Sequence, residues 1–171
     1  IPGINVELGD GDRFALGNAE AEVFDVPGHT RGHIAFWFAE SDALFSGDTL
    51  FAMGCGRLFE GTPKQMWTSL QKFLGLPGET RVYCAHEYTE ANGRFALSVE
   101  PGNAVLQSRM EEVRRLREAG RPTVPSTLAE EVATNPFLRP DSADLQRTIG
   151  LDGAGLVDVF ARTRELKDNF K

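Results

Sequence analysis

The sequence is organised around Asp25-Val26-Pro27-Gly28-His29-Thr30-Arg31-Gly32-His33, which is followed by an apolar run and then by Ser46-Gly47-Asp48-Thr49. A histidine on a glycine-rich turn thus precedes, by 19 residues, an aspartate on a second such turn. Both turns follow β-type sequence. We therefore expect an imidazole and a carboxylate at neighbouring strand ends, where proteins hold metal ions.

Composition sets the class of protein. A chain of 171 residues with 41% hydrophobic and 25% charged residues is typical of one globular domain, or of one domain with a small appendix. A net charge of -7 gives no overall electrostatic footprint for nucleic acid or an anionic membrane. Two cysteines without a CxxC motif, no membrane-length apolar run and no signal peptide predict a soluble, cytoplasmic protein.

The first part of the chain predicts a sheet. Residues 4–39 alternate in the β manner between tight turns, beginning with a strand at residues 4–8. The run Ile34–Phe38 is continuously apolar, so we expect it to be buried on both faces. Residues 43–46 pair with that run and lead into Asp48, and a strand over residues 81–85 leads into His86.

Helical spacing dominates the rest. Thr62-Pro63 opens a helix with an apolar stripe, and the glycine-rich loop at residues 49–61 before it is expected to be ordered. Further helices are predicted at residues 89–99, 103–119, 127–133, 142–149 and 155–169. A composition shift near Pro101-Gly102 predicts a sheet-containing domain over residues 1–100 and a helical domain over residues 101–171.

The candidate chemical residues allow more than one interpretation. The three histidines, His29, His33 and His86, could be ordinary hydrogen-bonded turn residues, although His29 and His86 directly follow predicted strands, as Asp48 does. Cys84 lies two residues before His86 and suggests a Cys-His nucleophile. Its strand position predicts a buried thiol, which disfavours that alternative.

Several motifs resemble one superfamily. They are Pro-Gly-His-Thr-Arg-Gly-His at 27–33, Phe-Ser-Gly-Asp-Thr-Leu-Phe at 45–51, Gly-Cys-Gly-Arg at 54–57 and Val-Tyr-Cys-Ala-His-Glu-Tyr-Thr at 82–89. Together they resemble the metallo-β-lactamase superfamily. The His-Glu-Tyr-Thr segment and Arg-Glu-Leu-Lys-Asp-Asn-Phe at 164–170 resemble glyoxalase II, the hydroxyacylglutathione hydrolases, in particular.

The resemblance implies a fold and a reaction. The fold is an α+β, metallo-β-lactamase-like αββα sandwich, represented by its C-terminal half, followed by a small helical domain. His29 and His86 become terminal ligands of two divalent ions and Asp48 their bridge, with zinc as the default metal and iron or manganese as alternatives. Metal-bound hydroxide would cleave S-D-lactoylglutathione or a similar thioester into glutathione and a 2-hydroxy acid, as in methylglyoxal detoxification.

The resemblance also assigns a substrate site. Glutathione would be held by Arg57, Tyr88, Arg164 and Lys167, whereas His33 would have a structural or supporting role. Arg164 and Lys167 are three residues apart on a predicted helix, so they could grip a carboxylate together. Without the resemblance these basic residues would be interpreted as surface charges. Phe59 stands where many relatives have tyrosine, which leaves one hydroxyl contact open.

One motif of the superfamily is missing. No His-x-His-x-Asp-His occurs, so we expect this chain to be the C-terminal portion of a longer enzyme, inactive alone and weak in metal binding. Apolar faces at Phe24, Phe36 and Phe38 would then lack a covering layer. A lactonase, a persulfide dioxygenase, another acyl thioesterase or a non-catalytic binding module are the alternatives, and the sequence leaves the oligomeric state open.

Overall fold

The computed structural model describes residues 2–170. Within this range the strands are β1 (Arg13–Leu16), β2 (Ala19–Asp25), β3 (Ile34–Phe38), β4 (Ala43–Gly47), β5 (Leu50–Phe51), β6 (Gly54–Cys55), β7 (Arg81–Cys84) and β8 (Ser126–Thr127). The α-helices of the same residues are α1 (Pro63–Leu74), α2 (Thr89–Val99), α3 (Ala104–Glu118), α4 (Leu128–Thr134), α5 (Ala143–Ile149) and α6 (Leu156–Asp168). Short 3-10 helices cover Ala39–Ser41 and Pro136–Leu138. The predicted α+β class is confirmed.

The sheet topology explains why distant residues meet. Six strands lie in the order β1-β2-β3-β4-β7-β8, and β5 pairs with β6 as a separate hairpin. Neighbours β2, β3 and β4 are antiparallel in succession, and β4 is parallel to β7 across the α1 connection. Strands β2, β4 and β7 therefore run in the same direction. Their carboxyl ends, which precede His29, Asp48 and His86, lie at one edge of the sheet.

Local capping signals fix two of the helices. Thr62 Oγ1 accepts a hydrogen bond from the backbone N–H of Gln65, and the side-chain oxygen of Gln65 accepts one from the backbone N–H of Thr62. Pro63 is the first helical residue of α1. Thr127 and Glu130 form the same capping box on α4. Both starts were predicted from the sequence, and the other predicted helices are present within one or two residues.

The core joins both parts of the chain. One apolar cluster combines sheet residues such as Leu44 with Phe73 of α1 and with Phe160 of α6. Strand β8 also extends the sheet, because Ser126 pairs with Val82 of β7. Segments after residue 100 are thus built into the sheet and its core, and the division at residues 100 and 101 stays a prediction.

Strand β3 corrects the expectation of burial on both faces. Ala35 and Trp37 pack against the core, whereas Phe36 and Phe38 project to the opposite face and are only half-buried. That opposite face is an open apolar surface, lined by Phe14, Leu16, Phe36, Phe38, Ser41, Ala43, Phe45 and Tyr83. The expectation of an uncovered face was therefore right for Phe36 and Phe38. It was wrong for Phe24, which packs on the core with its ring 6.3 Å from that of Phe73.

The predicted strand at residues 4–8 is also wrong. These residues form no ladder, and Ile4 and Val6 are exposed. Strand β1 is the edge strand of the sheet and pairs only with β2 among the described strands. Residues 4–8 alternate in sequence but have no neighbouring strand to pair with.

Among the described residues, none of the helices has the length and apolar character needed to cross a membrane.

Candidate active site

Two imidazoles approach one carboxylate at the shared edge of the sheet. Nε2 of His86 lies 3.2 Å from Oδ1 of Asp48, and Nε2 of His29 lies 3.9 Å from Oδ2 of the same side chain. Each carboxylate oxygen thus faces a different histidine. The arrangement follows from the parallel direction of β2, β4 and β7, which places the three turns side by side.

The hydrogen bonding of His29 suits a metal ligand. Its Nδ1 lies 2.9 Å from the carbonyl oxygen of Arg57, which can only accept, so Nδ1 carries the hydrogen. In the neutral ring, Nε2 then directs a lone pair toward the Asp48 carboxylate. Two acceptors facing each other are stabilised by a cation between them, and a histidine fixed through its other nitrogen is the usual form of such a ligand.

The donor set fits a divalent ion, although the three side chains do not close into a cage. Imidazole nitrogen and carboxylate oxygen are ligands that zinc, iron and manganese accept. Across residues 2–170, no group of three or more His, Cys, Asp or Glu side chains has the spacing to hold a metal ion by itself.

His33 lies behind the site. Its Nε2 accepts a hydrogen bond of 2.9 Å from the backbone N–H of Asp48, so it holds the turn that carries the carboxylate. Burial lowers the pKa of His33, which favours the neutral ring that this acceptor role requires. A Cβ on Gly47, where φ is +55°, would collide with the ring, which explains the glycine before Asp48.

The His-Glu-Tyr-Thr segment divides its residues between two tasks. His86 and Tyr88 line the cavity, with their rings stacked 4.8 Å apart. Glu87 accepts hydrogen bonds from the backbone and the hydroxyl of Thr123, and the hydroxyl of Thr89 also bonds to that of Thr123. Sequence reasoning missed Thr123, since nothing in its own neighbourhood signals this contact.

A cavity of about 540 Å³ opens beside the histidines. Both the metal-ligand candidates and the basic residues named from the sequence line it. Its lining is His29, Asp48, Phe51, Cys55, Gly56, Arg57, Phe59, His86, Tyr88, Ala91, Asn92, Arg164, Lys167 and Phe170. Of the predicted site residues, only His33 is absent from this lining.

Arg164 differs from its sequence-based interpretation as a free cation. Its side chain is buried, with 5% of the residue exposed, and one Nη donates a 2.8 Å hydrogen bond to the carbonyl of Cys55. Its Nε and other Nη both donate to Asp168, and the guanidinium lies over the ring of Phe137. Arg164 therefore forms part of the cavity wall, and most of its N–H donors already make hydrogen bonds within the protein.

Lys167 is the more available cation. Burial, followed by the neighbouring charges of Arg164, Arg94 and Arg57, lowers its pKa to about 8. Its Nζ makes a 3.3 Å hydrogen bond to the carbonyl of Ala91. Such a half-buried cation among other cations gains from an anionic partner.

The remaining residues complete the rim. Arg57 is largely exposed and approaches Asp168 at 3.7 Å, and the ring of Phe59 lies 5.0 Å from that of His29. Phe51, which the sequence analysis did not single out, contacts the rings of both His86 and Tyr88. Residues 49–61 show no clear period, so the sequence carried no local signal for this contact.

The thiols do not support a cysteine nucleophile. Cys55 is buried, and burial raises its pKa to about 11, although Arg164 acts in the opposite direction. Burial also raises the pKa of Cys84, whose Sγ lies 3.3 Å from the carbonyl oxygen of His86. Neither environment favours the thiolate that nucleophilic chemistry requires.

Gly56 gives a test of the site's tight packing. A Cβ at this position would collide with the carbonyl oxygen of Asp48 and come within 3.1 Å of Nδ1 of His29. We expect Gly56→Ala in the whole protein to lower kcat by about 100-fold for the thioester hydrolysis that the resemblance implies. A displacement of about 1 Å at a reacting group has an effect of that size. Steady-state kinetics will measure this, and Gly102→Ala, whose Cβ would contact nothing closer than 3.9 Å, serves as the control. Equal kcat values would contradict the prediction.

Two family models match consecutive parts of the chain. The metallo-beta-lactamase superfamily model matches residues 1–86, and the model for the hydroxyacylglutathione hydrolase C-terminus matches residues 87–170. Among curated relatives, the hydroxyacylglutathione hydrolase of Methylococcus capsulatus is 60% identical over 171 residues, which is 100% of this chain and 67% of the relative. That of Rhodospirillum rubrum is 59% identical over 99% of this chain and 66% of the relative. The chain spans about two thirds of their length.

Solved structures support the same fold. ETHE1 from Myxococcus xanthus superimposes with a TM-score of 0.62 at 25% identity, covering 96% of this chain and 53% of that protein. TTHA1623 in a di-iron-bound form superimposes with a TM-score of 0.51 at 31% identity, covering 80% of this chain and 50% of that protein. The fold is therefore shared with structurally known proteins, one of which was solved in a di-iron-bound form.

Proposed function

This chain belongs to the hydroxyacylglutathione hydrolase family of the metallo-β-lactamase superfamily, and from that membership we propose that the whole protein cleaves the thioester of a 2-hydroxyacyl glutathione. S-D-lactoylglutathione is the simplest such substrate, and glutathione and a 2-hydroxy acid are the products. One observation carries the proposal. The same cavity is lined by His29, Asp48 and His86, whose side chains converge, and by the basic residues Arg57, Arg164 and Lys167.

The metal-ligand candidates would supply the reaction chemistry. The superfamily implies divalent metal ions, and we propose that His29, Asp48 and His86 hold two of them, with zinc as the default and iron as the alternative. When bound, such ions act as Lewis acids and lower the pKa of water toward about 7. Asp48 would help to hold both, because its two oxygens face different histidines. The Arg57 carbonyl fixes His29, and Phe51 packs against His86.

The basic residues of the cavity would bind the substrate. Lys167 would pair with a carboxylate of the glutathione moiety, and Arg57 would close over it from the exposed rim. The Tyr88 ring, stacked on His86, lines the same cavity, where it could contact the peptide. Arg164 would shape the wall of the site, because its donors are held by Cys55 and Asp168.

A direct assay tests this function. We expect the purified whole protein, loaded with zinc or iron, to release free thiol from S-D-lactoylglutathione and to do so faster than from the acyl thioester of a thiol without carboxylates. Loss of the thioester absorbance and titration of the thiol measure the same reaction independently. Failure to release glutathione, together with turnover of a lactone or a persulfide, would replace the proposal by another activity of the fold.

Lys167 predicts a pH dependence of binding. Because its pKa is about 8, the free protein loses this positive charge as the pH rises through 8, and an anionic substrate then binds less well. We expect KM to increase by roughly fivefold between pH 7 and 9, equivalent to about 1 kcal/mol of lost attraction. The increase should vanish in Lys167→Met and persist in Lys64→Met, whose lysine is exposed on α1. A flat KM in the unsubstituted protein would contradict the assignment.

A further inference from the structure

The β5–β6 hairpin forms one wall of the cavity and carries an unfavourable turn. Leu50 pairs with Cys55 and Phe51 with Gly54, so the chain reverses through Ala52 and Met53. Met53 has a φ of +54° and is fully buried. Residues other than glycine seldom adopt this left-handed conformation, and it persists only where the surroundings impose it.

Side chains from the helices impose it. Asn92 of α2 donates to the carbonyl of Ala52 at 3.1 Å. Glu131 of α4 accepts the N–H of Met53 at 2.8 Å. Asn135, which caps α4, donates to the carbonyls of Phe51 and Gly54 at 3.1 and 3.0 Å. We call Asn92, Glu131 and Asn135 the polar clamp.

Glu131 is the centre of the polar clamp. Its side chain has no exposed surface, and Oε2 accepts hydrogen bonds from both Met53 and Asn135. Oε1 accepts a 2.6 Å hydrogen bond from Arg109 of α3, which balances the buried charge. A carboxylate at this depth is costly unless each oxygen is satisfied, as both are here.

The hairpin held by the polar clamp contacts several of the residues that line the cavity, directly or through the next residues of the chain. Phe51 contacts His86 and Tyr88, and the carbonyl of Cys55 holds Arg164. The chain continues from Cys55 into Gly56 and Arg57, whose carbonyl fixes His29. A shift of the hairpin would therefore move metal ligands and substrate-binding groups together.

We propose that Glu131 is a positioning residue for the reaction, which acts by holding the Met53 N–H and thereby the cavity wall. The proposal rests on the thioesterase function above. The competing explanation is that Glu131 matters only as the buried ion partner of Arg109. The two explanations predict opposite results for shortening the side chain and for removing its charge.

The test compares Glu131→Asp with Glu131→Gln in the whole protein. Asp keeps the charge for Arg109 but is too short to reach Met53, whereas Gln keeps the length and an oxygen acceptor. We expect Glu131→Asp to lower kcat/KM for the thioester by about 30-fold, within the range for groups that orient metal ligands, and Glu131→Gln by less than about threefold. The rates are compared at equal distances below each variant's Tm.

Glu100 gives a matched control. It is also buried and paired with an arginine, Arg139, but its contacts lie outside the hairpin. We expect Glu100→Asp and Glu100→Gln to lower Tm and to leave kcat/KM within about twofold. The proposal is overturned if Glu131→Gln is the more damaged of its pair, or if Glu100→Asp loses as much kcat/KM as Glu131→Asp.

Hydrogen exchange tests the polar clamp without any turnover. In Glu131→Asp, the Met53 amide should exchange about 100-fold faster relative to the amides of β4, and in Glu131→Gln within about threefold of the unsubstituted protein. Unchanged exchange in Glu131→Asp would overturn the clamp even if activity fell. Conversely, an unsubstituted protein that is inert toward the thioester would remove the proposed function while this measurement still decides the role of Glu131.

Discussion

Asp48→Asn is expected to reduce kcat for the glutathione thioester by on the order of 10³-fold in the whole protein, the scale of losing one strong electrostatic group at a reaction centre. The amide is nearly isosteric, so shape is retained and charge is removed. In the structure the two carboxylate oxygens face Nε2 of His86 and Nε2 of His29. An amide nitrogen in either place cannot share a cation with the histidine opposite it.

The measurement has three parts. Steady-state kinetics give kcat, metal analysis gives the bound ions per protein, and thermal unfolding shows whether the fold is intact. We expect both kcat and metal content to fall in Asp48→Asn. Asp10→Asn is the control, because Asp10 pairs with Lys72 away from the cavity, and its kcat should stay within about twofold. A variant of Asp48 that keeps more than a tenth of kcat and its metal would refute the bridging role.

The parts of this site that could be predicted from the sequence depend on local signals. The Thr62 and Thr127 capping boxes lie within four residues of the helix starts that they fix. The turn positions of His29 and Asp48 follow from the strand pattern before them, and the parallel direction of β2, β4 and β7 then brings them together. The capping boxes and the turn positions need no knowledge of partners far along the chain, whereas the pairing of β4 with β7 joins residues about 40 positions apart.

The parts that could not be predicted depend on distant partners. The carbonyl that holds Arg164 belongs to Cys55, 109 residues away, and the acceptor for Met53 belongs to Glu131, 78 residues away. The resemblance gave Arg164 the same role as Lys167, and helical spacing placed both on one face of the helix. For β3, an unbroken apolar run does not reveal whether both faces are covered, and here the face of Phe36 and Phe38 lies open.

Arg164→Met is expected to destabilise the protein by about 3 kcal/mol, in contrast to the effect on binding alone that its sequence position suggests. The substitution leaves the buried carbonyl of Cys55 without its charged donor and removes the ion pair with the partly exposed Asp168, and a lost hydrogen bond to a charged group costs about 1.5 to 3 kcal/mol. The packing of the guanidinium on Phe137 is also lost.

Arg162 makes this prediction specific to burial. It lies on the same helix, α6, and forms an ion pair with Glu165 three residues on, but 44% of its side chain is exposed. Surface pairs of this kind contribute about 0 to 1 kcal/mol, so Arg162→Met should change the free energy of unfolding by less than about 0.5 kcal/mol.

Lys167→Met should raise KM with little change in stability, because Lys167 is only half-buried and its Nζ has one weak acceptor. Denaturant titration of the three variants separates these outcomes, and equal stability of Arg164→Met and Arg162→Met would show that Arg164 contributes no more than a surface charge.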